Sequence, residues 1–129
     1  MPVKYEYDPK LSILHARPHG ELSIADIANY FHEVSNDNKI GQEIIEVVHF
    51  DDVVDFRFSS DNATSIPQQY KEVQERKKIR ATIFIAKDEI QFGIARMFQI
   101  LFEINDIKEG IFVVRTDKKA ENLIKEIRV

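Results

Sequence analysis

The chain has 129 residues, with 22 acidic and 18 basic side chains, a formal net charge of −4 and no cysteine. That length suits one domain, residues 1–129, able to bury a core without a disulfide or structural metal, and the missing thiols remove disulfide, thiolate and Cys-zinc chemistry. The acidic balance argues against nucleic acid, no apolar run reaches the ~18 residues of a membrane span, and Met1–Tyr7 lacks the apolar stretch of a signal peptide, so a cytoplasmic protein is expected.

Val3–Tyr7 alternates weakly and reads as a strand, and Asp8-Pro9-Lys10 is turn chemistry, Asp bonding its own backbone and Pro presetting φ. Leu11–Ala16 alternates again, so the two runs predict a hairpin, with Pro18 and Gly20 ending the second strand. Ser23 and Asp26 form a variant capping box before Ile24, Ile27, Ala28, Phe31 and Val34, one face of a helix that ends around Asn36–Gly41.

Ile44–Phe50 (IIEVVHF) is β-branched and short, as in a strand covered on both faces. Asp51–Ser65 mixes acids and serines with Val53, Val54, Phe56 and Phe58, and is expected to be irregular with a little extended structure. Pro67 suits a first helical turn. Gln68–Lys78 then reads as a charged, solvated helix with a thin apolar stripe of Ile66, Tyr70 and Val73. Ile79–Ala86 (IRATIFIA) is a buried strand, followed by a helix over Glu89–Ile104 capped by Asp88 or its neighbour, whose core face is Ile90, Ile94, Met97, Phe98, Leu101 and Ile104, with Phe92, Ile100 and Phe102 in addition. After a loop at Asn105–Gly110, Ile111–Arg115 is the last strand and Asp117 caps a terminal helix carrying Ala120, Leu123, Ile124 and Ile127.

Strands alternating with helices after an opening hairpin predict an α/β domain with a mixed sheet of about five strands and about four helices. This order, with three local patterns, resembles the STAS-type fold of anti-sigma-factor antagonists and the SpoIIAA-like family. Phe92-Gly93-Ile94-Ala95-Arg96-Met97-Phe98 is similar to that family's segment of Gly, a small residue and Arg followed by an aromatic. The stretch from Ile111 through Asp117 and Ala120 to Leu123-Ile124 resembles its closing strand and helix, and Gly20-Glu21-Leu22 fits the approach to its first helix. The resemblance implies a non-enzymatic regulatory domain, and the wide apolar sector of the helix over Glu89–Ile104 is the reason to expect that it works by binding, through a protein partner, a homodimer or a small lipophilic molecule.

Relatives of the antagonist type carry an Asp-Ser-Ser-Gly phosphorylation loop after the third strand. Here Ser59 and Ser60 fall in that region without the preceding Asp or the following Gly, so a phosphorylation-controlled switch on them is the alternative reading. Their plainer role is to supply hydroxyls for turns and the next helix cap. Asp51, Asp52 and Asp55 form an acidic cluster without the spacing of a calcium loop, and no metal or cofactor is expected. His15 and His49 are placed to approach each other across the sheet, with ordinary hydrogen bonding as the expectation.

Arg96 has no acidic partner at helical spacing, which leaves a solvent stripe with Glu89, Gln99 and Glu103 or anion recognition at a cleft mouth. Phe92 and Ile100 flank Arg96 by about 40° on the helical wheel, while Phe98 and Phe102 point the other way. An apolar sector this wide packs as core, meets a partner or lines a pocket. The candidate contact residues are therefore Arg96, Phe92, Phe98 and Phe102.

Overall fold

The structure is a computed structural model that describes residues 2–128. Its elements run β1 (Val3–Asp8), β2 (Ile13–Ser23), α1 (Ile24–Asn36), β3 (Glu43–His49), β4 (Asp52–Arg57), α2 (Ser60–Ala63), α3 (Ile66–Arg76), β5 (Lys78–Ile85), α4 (Glu89–Ile104), β6 (Gly110–Val114) and α5 (Asp117–Arg128). The sheet order is β1-β2-β3-β5-β6, with β1 antiparallel to β2 and the remaining pairs parallel, while β4 pairs with the far half of β2. The expected α/β mixed sheet is present, with a sixth strand and a short extra helix.

The sixth strand arises from β2. Pro18 and Gly20 read locally as its end, yet it continues for 11 residues to Ser23. Pro18 pairs opposite Val3, and His19 N–H donates to the Pro2 carbonyl at 2.7 Å, so the strand passes the proline without losing its partner. Gly20 takes φ +66°, a conformation costly for a side chain with Cβ, and the β2–β4 register shifts just after it. The glycine therefore bends the strand rather than stopping it. Asp51–Ser65 is correspondingly not irregular throughout: β3 and β4 run in the same direction along successive halves of β2, with a jog at Phe50–Asp51 closed by Val53 N–H to the Phe50 carbonyl at 3.1 Å.

Two of the three expected caps form, and the third, Asp117, does not. Ser23 and Asp26 form a reciprocal capping box at α1, and Asp88 accepts from Gln91 N–H at 2.8 Å at α4. At α5 the capping contact comes from Thr116, whose hydroxyl accepts from Lys119 N–H at 3.1 Å; Asp117 is the first helical residue.

Helices α1, α3 and α4 cover one face of the sheet over a large aromatic-rich core, and α5 alone covers part of the other, over Ile13, Ile45, Val47, Ile83, Ile85 and Ala120. Helix α3 ends at Arg76, two residues earlier than expected, and Lys77 is not part of a solvated face. It is only 6% exposed, and its ammonium donates to the Asp37 and Ile40 carbonyls at 3.0 and 2.8 Å.

Candidate functional site

The space between the sheet and the three helices is not fully filled. A cavity of about 70 Å³ lies there, walled by Phe50, Phe84, Phe98 and Phe102 and by the rings of Tyr30 and Tyr70. The walls form two aromatic sets: in one Phe84 stacks on Phe50 at 5.6 Å and on Phe98 at 5.8 Å, and in the other Tyr70 meets Phe102 at 4.9 Å. Such offset and edge contacts add to area burial by about 1 kcal/mol each.

Polar groups back this cavity. Glu46 on β3, Thr82 on β5, Tyr30 on α1, Tyr70 on α3 and Glu109 just before β6 form one connected chain. Tyr30 Oη donates to Glu46 Oε2 at 2.5 Å, and Tyr70 Oη is bonded to Glu109 Oε1. Thr82 Oγ1 lies 2.8 Å from Glu46 Oε1 and 2.7 Å from Glu109 Oε2. Glu46 and Thr82 are neighbours because β3 and β5 pair in register, Glu46 opposite Thr82. Burial raises the Glu46 carboxyl above its ordinary value and pushes Glu109 up to about 7. Burial, reinforced by the adjoining carboxylates, also holds both tyrosines in the phenol form. Among the described residues no buried side-chain polar atom lacks a partner.

Of the residues singled out in the sequence, Phe98 and Phe102 are each 6% exposed and line the cavity. Phe92 is half-buried elsewhere on α4, with the Arg115 guanidinium 4.1 Å above its ring centroid. Arg96 is exposed, bonded to Gln99, and does not border the cavity, so it lies on a solvent stripe and not at a cleft mouth. Ile90 and Ile104, expected in the core, are 72% and 70% exposed, and with Ile100 they edge the outer side of α4. The aromatic layer is satisfied by Phe98 and Phe102, which leaves these isoleucines beyond the sheet's reach.

Ser59 and Ser60 are both exposed at the start of α2. Ser59 Oγ accepts from Asn62 N–H at 3.2 Å, the capping role that its spacing allows. The acidic cluster is dispersed: Asp51 pairs with Lys87 at 2.8 Å, Asp55 pairs with Arg57 at 2.7 Å, and no three metal-ligating side chains converge among the described residues.

His15 and His49 do meet, Nδ1 to Nε2 at 3.0 Å, on the face that carries α5. Burial first, then Arg17 and His15, lowers His49 to about 4, and burial also lowers His15. Both rings are thus neutral near pH 7, and the contact between them needs one ring to donate its N–H and the other to accept on a bare nitrogen.

The polar chain is nearly silent in the sequence. Its one signal is Glu46, a carboxylate in the middle of IIEVVHF at a position whose neighbours on the same face, Ile44 and Val48, are core.

This architecture is the STAS-type, SpoIIAA-like fold. Solved structures agree along nearly the whole chain. The anti-sigma factor antagonist SpoIIAA in its unphosphorylated form superposes with a TM-score of 0.57 at 14% identity, over 98% of this chain and 97% of that one. An uncharacterised DUF3478-family protein with a SpoIIAA-like fold, from Shewanella loihica PV-4, gives 0.54 at 15% identity, over 95% and 91%. The Bacillus cell fate determinant SpoIIAA in its phosphorylated form gives 0.53 at 11% identity, over 95% and 98%. No protein-family model matches the sequence, and no match is found among curated proteins. Among the described residues no helix is long and apolar enough to cross a membrane.

Proposed function

We propose that this is a non-enzymatic binding domain whose ligand is a small apolar molecule, or the apolar end of a larger one, held between the sheet and helices α1, α3 and α4. The observation that carries this reading is the aromatic-walled cavity: a native core is normally packed with few voids larger than a water molecule, and an apolar void stays dry and open to an apolar guest. The polar groups behind the wall are bonded to one another and not aimed into the space, which fits binding and not turnover.

Benzene is a suitable first probe. In NMR titrations it is expected to shift the ring and amide signals of Tyr70, Phe84, Phe98 and Phe102. Perturbation confined to Ile90, Ile100 and Ile104 instead assigns the contact to the outer side of α4, a protein-facing surface or homodimer face. No perturbation anywhere rejects the cavity reading.

A second reading rests on the exposure of Ser59 and Ser60 at a helix start soon after β4. One of the structures that superpose on this chain is a phosphorylated SpoIIAA. A phosphate on either serine brings about −2 charge and three acceptor oxygens to an exposed turn. The expected result is a single phosphoform on intact-mass analysis after incubation with the cognate kinase, lost in Ser59→Ala with Ser60→Ala. A protein that stays unmodified removes the switch.

A further inference from the structure

The polar chain behind the cavity is one proton short. It contains four oxygen–oxygen contacts: Tyr30–Glu46, Thr82–Glu46, Thr82–Glu109 and Tyr70–Glu109. Each contact needs a proton between its two oxygens. The three hydroxyls supply three, and an ionised carboxylate supplies none. The Thr82 hydroxyl can donate to only one of the two carboxyls it touches, so the fourth contact closes only if one carboxyl is a carboxylic acid.

We propose that Glu46, Thr82 and Glu109 form a one-proton latch that regulates the cavity, closed when one carboxyl is protonated and released at the Glu109 side when both ionise. This rests on the cavity reading above and adds its control. The released element follows from the topology. Glu46 and Thr82 are fixed in paired central strands, whereas Glu109 sits in the segment that joins α4 to β6. Its withdrawal frees Tyr70, which packs on Phe102 in the cavity wall.

The surroundings favour the protonated state. On the inner side the groups facing the two carboxyls are Tyr30 from α1, Tyr70 from α3, Thr82 from β5 and each other, with Tyr5 from β1 behind Tyr30. No cation bonds to either carboxyl among the described residues, so burial is offset by the hydroxyl hydrogen bonds alone, and it outweighs them. On the outer side Glu109 borders an open groove of about 590 Å³ whose exposed charged lining is Glu75, Arg76, Lys78, Arg80 and Lys108. An ionised Glu109 therefore has a hydrated, largely cationic place to go.

The sign of the pH effect follows. A carboxyl raised from 4.5 to about 7 by folding stabilises the fold fully below pH 4.5, and that contribution is lost as pH rises through 7. The interval corresponds to about a 300-fold change in the folding constant. The lowered histidines act in the opposite sense, since neutral His49 contributes stability that is lost as pH falls towards 4. The wild-type profile alone therefore mixes the two.

The decisive quantity is the difference between wild type and Glu109→Gln, in which the histidine contribution cancels. The amide introduced at position 109 supplies the missing proton at every pH, and Glu46→Gln does the same from the other side. In urea titrations without ligand, each single variant is expected to gain on wild type as pH rises from about 5 to about 8, by up to about 70-fold in the folding constant. The double variant has one donor too many and is expected to be less stable than either single one. Hydrogen exchange should show 105–110 opening with pH in wild type and not in Glu109→Gln.

A difference that does not change with pH overturns the latch. Should both variants fail to fold, infrared spectroscopy of wild type decides: a carboxylic-acid band present at pH about 5.5 and lost by about 8.5 supports it, and no such band refutes it. Benzene titration of wild type and Glu109→Gln keeps the two proposals apart. Binding to both with no pH dependence in either retains the cavity and ends the latch, whereas no binding to either ends the cavity reading whatever the stability data show.

Discussion

Phe98→Ala is expected to lose about 4 kcal/mol of folding stability in urea denaturation and to recover part of it when benzene is added. The ring is buried between Phe84 and Phe58, with centroids at 5.8 and 5.9 Å, and is itself part of the cavity wall. Truncation removes the ring's burial and joins its volume to a void that already exists, so the site has little scope to collapse around the loss. That places the change within the roughly 3–5 kcal/mol of aromatic truncations, a large share of the roughly 5–15 kcal/mol typical of a whole domain. The rescue separates an enlarged binding space from a general loosening. A variant that is destabilised but indifferent to benzene has collapsed, and a loss below about 1 kcal/mol contradicts the packing described.

Lys77→Ala is expected to cost about 3 kcal/mol, while Lys78→Ala next to it changes stability by less than about 0.5. Lys77 closes the end of α3 through its own N–H to the Val73 carbonyl at 2.8 Å, and its ammonium holds the Asp37 and Ile40 carbonyls in the turn after α1. Bonds to a charged donor are the stronger kind, and removing the donor strips the buried Ile40 carbonyl of the ammonium and leaves the Asp37 carbonyl with the Ile40 N–H alone. Lys77→Met keeps the apolar stem but not the bonds and is expected to fall between the two. Equal effects at 77 and 78 in chemical denaturation remove the special role assigned to Lys77.

The α/β order is legible in the sequence because each strand and helix has its own hydrophobic period and its own caps, as at Ser23–Asp26 and Asp88. The inward direction of Phe98 and Phe102, and the outward direction of Arg96, follow from the helical wheel alone. What stays hidden depends on partners distant in sequence. Pro18 and Gly20 read locally as terminators, and only β4 alongside shows that the strand bends and continues. Lys77 looks like one more surface charge until the turn after α1 supplies its acceptors. Glu109, in a loop, gives no sequence signal, since its burial is created by Tyr70 and Thr82, 39 and 27 residues away. Ile90 and Ile104 fit an apolar pattern that the layer beneath has no room to take.

The bend at Gly20 also bears on the order in which the molecule assembles. The hairpin of β1 and β2 is the one ladder closed by a tight turn; the parallel ladders all wait for segments farther along the chain. Closing such non-local ladders is slow. Because the single strand β2 accepts β1, β3 and β4 in turn, its eleven residues are the template on which the slow steps converge. A chain whose β2 could not turn at Gly20 would still form the hairpin and the first parallel pair, but β4 would arrive with its row of amides facing an empty edge, exposed to whatever strand of another molecule came first.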